Sequence, residues 1–265
     1  MKETISSSTG RRSAILQLLK QNSNISVNEL SKKFNVSEVT IRKDLNLLKE
    51  RNLLVRTRGG AILHEVPKDD NDMSIRFKKL ANYREKQAIG RMAASLIEDG
   101  DTIIIDSGTT ALQVACNLHK FNNLTILTNA LNVAQEVLSY KRFNVILLGG
   151  NIRNSSESVV GALAESNLKM FYCDKLFMGV DSFSVENGLS TPSVEEANIN
   201  QIMISRSNKV IAVFDSSKIN KRALAFITNT ENIHTVVTDE GMDKTTRSQL
   251  KSKNIELYTV KPDPV

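Results

Sequence analysis

Cysteine is scarce in this 265-residue chain, with only Cys116 and Cys173 present. Each lies in an apolar neighbourhood and their spacing is not that of a metal site, so free buried thiols in a reducing compartment are expected, not a disulfide framework. Long apolar runs are missing too. Nothing approaches the ~20 residues that cross a bilayer, and the polar, Ser- and Thr-rich start from Met1 to Arg12 has no targeting character. Membrane insertion and secretion are therefore not expected, the cytosol is the expected location, and no cofactor or metal is expected. Acids are thin at one end only: residues 1–64 hold five against twelve Lys and Arg, whereas 65–265 hold 24 against 23. At roughly 100–200 residues per domain the length favours two domains. A basic surplus confined to the first points to a polyanion-binding module joined to a near-neutral one, because Lys and Arg release condensed counterions when they neutralise phosphates.

Three short amphipathic segments occupy the basic part. Ile15, Leu18 and Leu19 line one face of a helix expected over 11–21, which Asn22–Asn24 ends. Ser26 and Glu29 form a capping-box pattern for a second helix, with Val27, Leu30 and Phe34 as its buried stripe. After Asn35 and Val36, Ser37 caps a third helix in which Ile41, Leu45 and Leu48 recur at helical spacing. The other side of that helix carries Val39, Lys43 and Asn46, flanked by Thr40 and Arg42. Such side chains reach phosphates and base edges, and Val39 suits a thymine methyl group. Adjacent bases such as Arg42 and Lys43 also fit a merely solvated face. Leu53–Thr57 and Ala61–Leu63 read as a two-stranded ribbon turning at Arg58, Gly59 and Gly60, with Arg56 and Arg58 near its tip. Three helices plus a basic ribbon predict a winged helix-turn-helix over residues 1–64, whose third helix enters the major groove of duplex DNA.

Glu65–Asp72 contains Pro67 and four acids, so residues 65–82 read as a linker and connecting segment. A second domain is expected over 83–265. It opens with a helix whose apolar face is Ile89, Met92, Ala93, Leu96 and Ile97, ended by Asp99 and Gly100. Lys86 falls in line with that face, where it either snorkels to water or directs its ammonium to a ligand phosphate. Seven β-rich runs then alternate with helical ones: Thr102–Ile105, Leu124–Leu127, Val145–Leu148, Leu176–Met178, Val210–Phe214, Val236–Thr238 and Glu256–Val260. Such alternation predicts an α/β domain with a mostly parallel sheet, whose ligands gather beyond the carboxyl ends of the strands. The residues there are Asp106, Ser107, Gly108, Thr109 and Thr110, then Thr128 and Asn129, then Gly149 and Gly150 followed by Arg153, Ser156 and Ser158. Asp181 and the Asp215–Lys218 run close two later strands, with Glu195 and Glu196 between them. Hydroxyls and backbone donors at 107–110 suit a phosphate dianion, although the same residues also make an ordinary turn and cap. An arginine among hydroxyls, as at Arg153, suits phosphate or sugar.

Val36, Ser37, Thr40, Ile41, Arg42, Asp44 and Leu45, followed by Arg56, Gly59, Gly60 and Ala61, resemble the signature of the DeoR-family repressors, and the resemblance extends along nearly the whole chain from Arg11. It implies an effector domain similar to ribose-phosphate isomerase, in which the Ser107–Thr110 loop holds a phosphate with Lys218 or Lys86 assisting. Asp181, Glu196 and Asn129 are then the partners of sugar hydroxyls. Gly149, Gly150, Arg153, Ser156, Ser158 and Gly161, with Asp239, Glu240 and Gly241, look most like repressors of N-acetylgalactosamine or galactosamine use. The implied partners are double-stranded operator DNA, a phosphorylated sugar with hexosamine 6-phosphate favoured, and further copies of the chain as a dimer or tetramer. A sugar-phosphate isomerase is the rival, because aldose–ketose conversion needs a carboxylate base. In the isomerases a glutamate opens the helix leading into the Asp-x-Ser-Lys strand; counting back from Lys209 puts Asn200 there, and an amide abstracts no proton. Glu195 and Glu196 lie earlier. Regulation without catalysis is therefore expected, with a constitutive DNA binder as the third alternative.

Overall fold

The computed structural model describes residues 8–22, 24–50, 53–57, 59–63 and 75–262. These fall into two compact units that divide between Arg84 and Glu85. The acid-rich 65–72 stretch and Arg58 lie outside the described residues.

The first unit comprises α1 (Ser8–Asn22), β1 (Asn24–Ser26), α2 (Val27–Phe34), α3 (Glu38–Glu50), β2 (Leu54–Thr57), β3 (Gly60–Leu63) and α4 (Ile75–Leu80). Both expected caps are made. The Glu29 N–H donates to Ser26 Oγ at 3.2 Å while Ser26 N–H donates to the Glu29 carboxylate at 2.8 Å, and Thr40 N–H donates to Ser37 Oγ at 3.2 Å. Ile15, Leu19, Leu30, Phe34, Ile41, Leu45 and Leu48 meet in one core. Asn24, expected in the break after the first helix, and Ser26, expected as a cap, also belong to a strand that the sequence reading lacked: β1 pairs antiparallel with β3, giving a sheet in the order β1-β3-β2. Gly60 permits that pairing, because a Cβ there would stand 2.4 Å from the Ile25 carbonyl oxygen. Part of the expected connecting segment, residues 75–82, also packs onto this unit. Leu80 joins its core, its carbonyl accepts from the Ser13 hydroxyl, and the Gln17 amide donates to Asn82 Oδ1 at 3.1 Å.

An ion pair under the third helix anchors the unit. Asp44 turns inward from α3, where Arg11 Nε meets its carboxylate at 2.6 Å and Arg12 Nε stands at 3.7 Å. Arg11 and Asp44 are each less than a tenth exposed.

The second unit is built around the seven anticipated strands: β4 (Thr102–Ile105), β5 (Thr125–Thr128), β6 (Asn144–Leu147), β9 (Cys173–Gly179), β12 (Ser207–Val213), β14 (Thr235–Asp239) and β15 (Glu256–Val260). They form one parallel sheet in the order β15-β14-β12-β9-β4-β5-β6. A parallel sheet needs both faces covered, which is why its inner strands carry unbroken apolar runs such as Ile103–Ile105, Leu176–Met178 and Val210–Val213. Ile103, Ile105, Ile126 and Phe177 pack against α5 (Tyr83–Ala94), α6 (Thr109–Ala115) and α7 (Leu131–Leu138). Ile104, Leu127, Leu176 and Met178 pack the other way, against α8 (Ala162–Leu168), α9 (Val194–Ser205) and α10 (Lys244–Ser252). Two smaller features have no counterpart in the sequence reading: a hairpin of β7 (Asn151–Arg153) with β8 (Ser158–Val160), and an antiparallel sheet of β10 (Ser182–Ser184), β11 (Gly188–Thr191) and β13 (Ala225–Thr228). From the neighbouring strands β4 and β9 the chain works outward in opposite directions, so the crevice beyond their carboxyl ends is the topological switch point. Cys173 is buried and Cys116 half-buried, both as thiols. Among the described residues no helix is long and apolar enough to cross a membrane.

Removing Asp44 strands a buried guanidinium. Asp44→Ala should destabilise the first unit by about 3–5 kcal/mol, read as a shift of its transition in urea. A change below about 1 kcal/mol would mean that water solvates Arg11.

Candidate functional site

In the first unit, the solvent side of α3 is the candidate DNA surface. Val39 is 59% exposed, and Ser37, Arg42, Lys43 and Asn46 are exposed beside half-buried Thr40. Several of these side chains already have partners within the unit. Ser37 Oγ serves as the cap and lies 2.9 Å from Thr40 Oγ1. Arg42 pairs with Glu38 one turn back at 2.8 Å. Arg56, at half-buried position on β2, donates from Nη1 to Asn46 Oδ1 at 2.6 Å and from Nε to the Gly60 carbonyl at 3.3 Å. The expected site therefore converges on one surface, apart from Arg58, which lies outside the described residues. Arg11 and Arg12 face Asp44, so part of the basic surplus is spent internally.

In the second unit the candidate site lies at the switch point. Asp106 follows β4 and is 3% exposed. Its carboxyl accepts from Gly179 N–H at 3.2 Å and from Ser107 Oγ at 3.4 Å. Gly179 is required there, because a Cβ would stand 2.7 Å from the Ser107 carbonyl oxygen. Burial pushes the Asp106 carboxyl up to about 7; the Ser107 N–H opposes this, the charge of Glu196 adds to it, and the Asn200 amide and Gly179 N–H pull it back.

Glu196 sits in the first turn of α9, buried, with its N–H on the Ser193 cap at 3.3 Å. Its neighbour Glu195 is exposed. Counting back from Lys209 put Asn200 at the opening of this helix. The helix opens at Val194 instead, so a glutamate does occupy its first turn, and Asn200 lies one turn further on beside Asp106. The Thr191 hydroxyl stands 3.3 Å from Asp181 Oδ2 and 3.2 Å from Glu196 Oε2. It carries one proton for two carboxylates. Arg153 Nη1 lies 3.5 Å from Glu196 Oε1 and donates to Ser155 and, at 3.3 Å, to Ser156, whose oxygen is 2.8 Å from Ser158 Oγ. The β7–β8 hairpin makes this convergence possible by bridging Ser158 to Ala130 after β5.

Asn129 lies one strand over. The pairing of Ile104 with Leu127 brings it level with Asp106. It is 1% exposed; Nδ2 donates to the Val159 carbonyl at 3.2 Å, while Oδ1 is buried with no hydrogen-bond partner. An orphaned buried acceptor of this kind is uncommon.

The remaining expected residues are placed differently. Thr128 is fully buried and accepts from Ala130 N–H at 3.0 Å, so its oxygen shapes the turn. Gly149 and Gly150 are exposed in the turn into β7, the former donating to Asn167 Oδ1 at 3.4 Å. Gly108 starts α6 at a φ of 112°, and Thr109 and Thr110 behind it are buried. Lys218, half-buried in a 3-10 turn at Ser216–Lys218, follows β12, two strands from β4. Lys86 is 3% exposed on α5, which excludes snorkelling to water. Thr191 and Asn200 were missed as site residues, and no local pattern marks either: the small sheet and the pitch of α9 bring them in.

The Asp106 proton is stabilising. Its folded value lies above the ordinary 3.8, so the contribution is complete below about pH 4 and lost as pH rises through 7. Asp106→Asn should flatten that dependence, gaining on the order of 4 kcal/mol over the native chain at pH 8 and little at pH 4. Calorimetric melts across that range test it; parallel pH profiles for the two proteins would refute it.

Comparison with known proteins identifies the family. Residues 11–66 match the DeoR-like helix-turn-helix domain and residues 81–240 the DeoR C terminal sensor domain. A putative aga operon transcriptional repressor of Escherichia coli O157:H7 is 34% identical over 97% of this chain and 95% of its own. The glycerol-3-phosphate regulon repressor of Escherichia coli K12 is 32% identical over 94% and 98%. Among solved structures, ribose 5-phosphate isomerase A of Methanocaldococcus jannaschii is similar at a TM-score of 0.40 and 16% identity, over 54% of this chain and 56% of that one. With both family domains matched and relatives similar from end to end, the chain belongs to the DeoR family of helix-turn-helix transcriptional regulators.

Proposed function

We propose that this regulator represses a sugar or amino-sugar catabolic operon and leaves its operator when a phosphorylated sugar, a hexosamine 6-phosphate foremost, fills the crevice beyond β4 and β9. The observation that carries the reading is the wall of acceptors there: Asp106, Asp181, Glu196 and the orphaned Asn129 Oδ1. Such a wall suits a ligand with several hydroxyl or amine donors. Arg153 and the Ser107–Thr110 loop supply donors for its phosphate. The aga-operon name of one relative favours an amino sugar, and the glycerol-3-phosphate name of another keeps smaller phosphates in the comparison. Two copies or four, in the cytoplasm, would set paired third helices on repeated half-sites. Release needs the effector to prefer the DNA-free arrangement, typically by ~1–3 kcal/mol.

Gel shifts with a panel of sugar phosphates test this. One hexosamine 6-phosphate should release DNA at concentrations where the free sugar does not, and indifference to every phosphate would leave a constitutive binder. Arg42→Ala should weaken operator binding by about 1–3 kcal/mol with effector binding unchanged. Thr109→Val should do the reverse, as read by calorimetric titration.

One observation favours a second reading as an isomerase. A buried carboxyl near 7 beside Glu196 has the character of a general base. Purified protein incubated with aldose and ketose phosphates should give no turnover above the uncatalysed rate. Turnover abolished by Asp106→Asn would establish the enzyme instead.

A further inference from the structure

Asn46 lies on the solvent side of α3, in its third turn, beyond the first two turns that carry Val39, Arg42 and Lys43. The N-terminal residues of a recognition helix are the ones that meet base edges, so Asn46 is poorly placed to read sequence. Its oxygen is also engaged: Oδ1 accepts from Arg56 Nη1 at 2.6 Å. An asparagine reading adenine uses that same oxygen to accept from N6 while its nitrogen donates to N7, so the two uses compete.

The geometry on the other side of the bond is equally defined. Arg56 stands on β2, and its Nε donates to the Gly60 carbonyl at 3.3 Å across the hairpin. Gly60 in turn pairs with Ser26 of β1 so closely that a Cβ would meet the Ile25 carbonyl oxygen at 2.4 Å. The strand bearing the arginine is thus held by backbone, and its guanidinium is held at one end by backbone and at the other by Asn46. A long, rotamer-rich cation fixed before contact loses less freedom on binding a phosphate.

We propose that Asn46 is a positioning residue for the wing: it locks Arg56 to the recognition helix so that this guanidinium meets a backbone phosphate in register with the side chains of α3. The inference rests on the DNA-binding role of the first unit.

A double-mutant cycle in the full chain tests it, using Asn46→Ala, Arg56→Ala and the pair. The probes are a duplex selected by the native protein from a random pool and an unrelated duplex of equal length, each titrated across a salt series. Asn46→Ala should weaken binding to both duplexes by a similar several-fold factor. It should also lower the slope of log affinity against log salt by about 1, the signature of one lost phosphate contact. With Arg56 already removed, deleting Asn46 should add nothing. Loss confined to the selected duplex with an unchanged salt slope would make Asn46 a base reader and overturn the proposal. Additive losses, or no loss in the single variant, would overturn it equally. Failure of the native protein to bind either duplex at low salt would instead overturn the DNA-binding reading, and this inference with it.

Discussion

Asp106 sits just beyond the carboxyl end of β4 with almost no access to water, its carboxyl held by the Gly179 N–H and the Ser107 hydroxyl while the Glu196 carboxylate stands near. Burying an acid beside another acid is costly unless a proton or a donor compensates it. Much of the surrounding structure answers to that constraint. Gly179 lacks a side chain so that the β4 loop can lie over it. The first turns of α9 bring Glu196 and Asn200 to the same crevice, the small antiparallel sheet adds Thr191, and the β7–β8 hairpin carries Arg153 back to Glu196. The result is a crevice in which one hydroxyl, that of Thr191, is shared between the Asp181 and Glu196 carboxylates.

The first unit solves a related problem with an opposite outcome. Its buried acid, Asp44, is fully paired by Arg11, and the pair holds α1 under the third helix. Two further cations are tethered: Arg42 to Glu38 at an exposed i, i+4 spacing of modest strength, and half-buried Arg56 to Asn46, from β2 to the third helix. A count of twelve basic residues therefore overstates what is presented to DNA. What matters is that a few cations are held in defined positions on one surface.

Legibility followed range. The capping box at Ser26 and Glu29, the cap at Ser37 and all seven core strands depend on neighbours within a few residues or on alternating apolar burial, and each was readable. The loops at strand ends were readable for the same reason, which is how Asp106, Asn129, Asp181 and Arg153 became candidates. β1 was missed because a three-residue strand has no periodicity of its own and exists through pairing with β3, more than thirty residues away. The ungapped count that set Asn200 at the start of α9 failed because the helix opens at Val194, more than a turn and a half earlier than the count assumed.

The sequence by itself determined the two-part organisation, the winged helix, the parallel sheet and the family, because charge distribution, apolar period and local motifs are properties of short stretches. Tertiary structure alone decided how the residues divide between positioning and contact. It turned Asp44 inward, chose Glu196 over Glu195, buried Lys86, spent Thr128 on a turn and joined Asn46 to Arg56. Those outcomes depend on which elements pack together and at what pitch, and a hydrogen bond between residues far apart in the chain leaves no trace in either one's immediate neighbours.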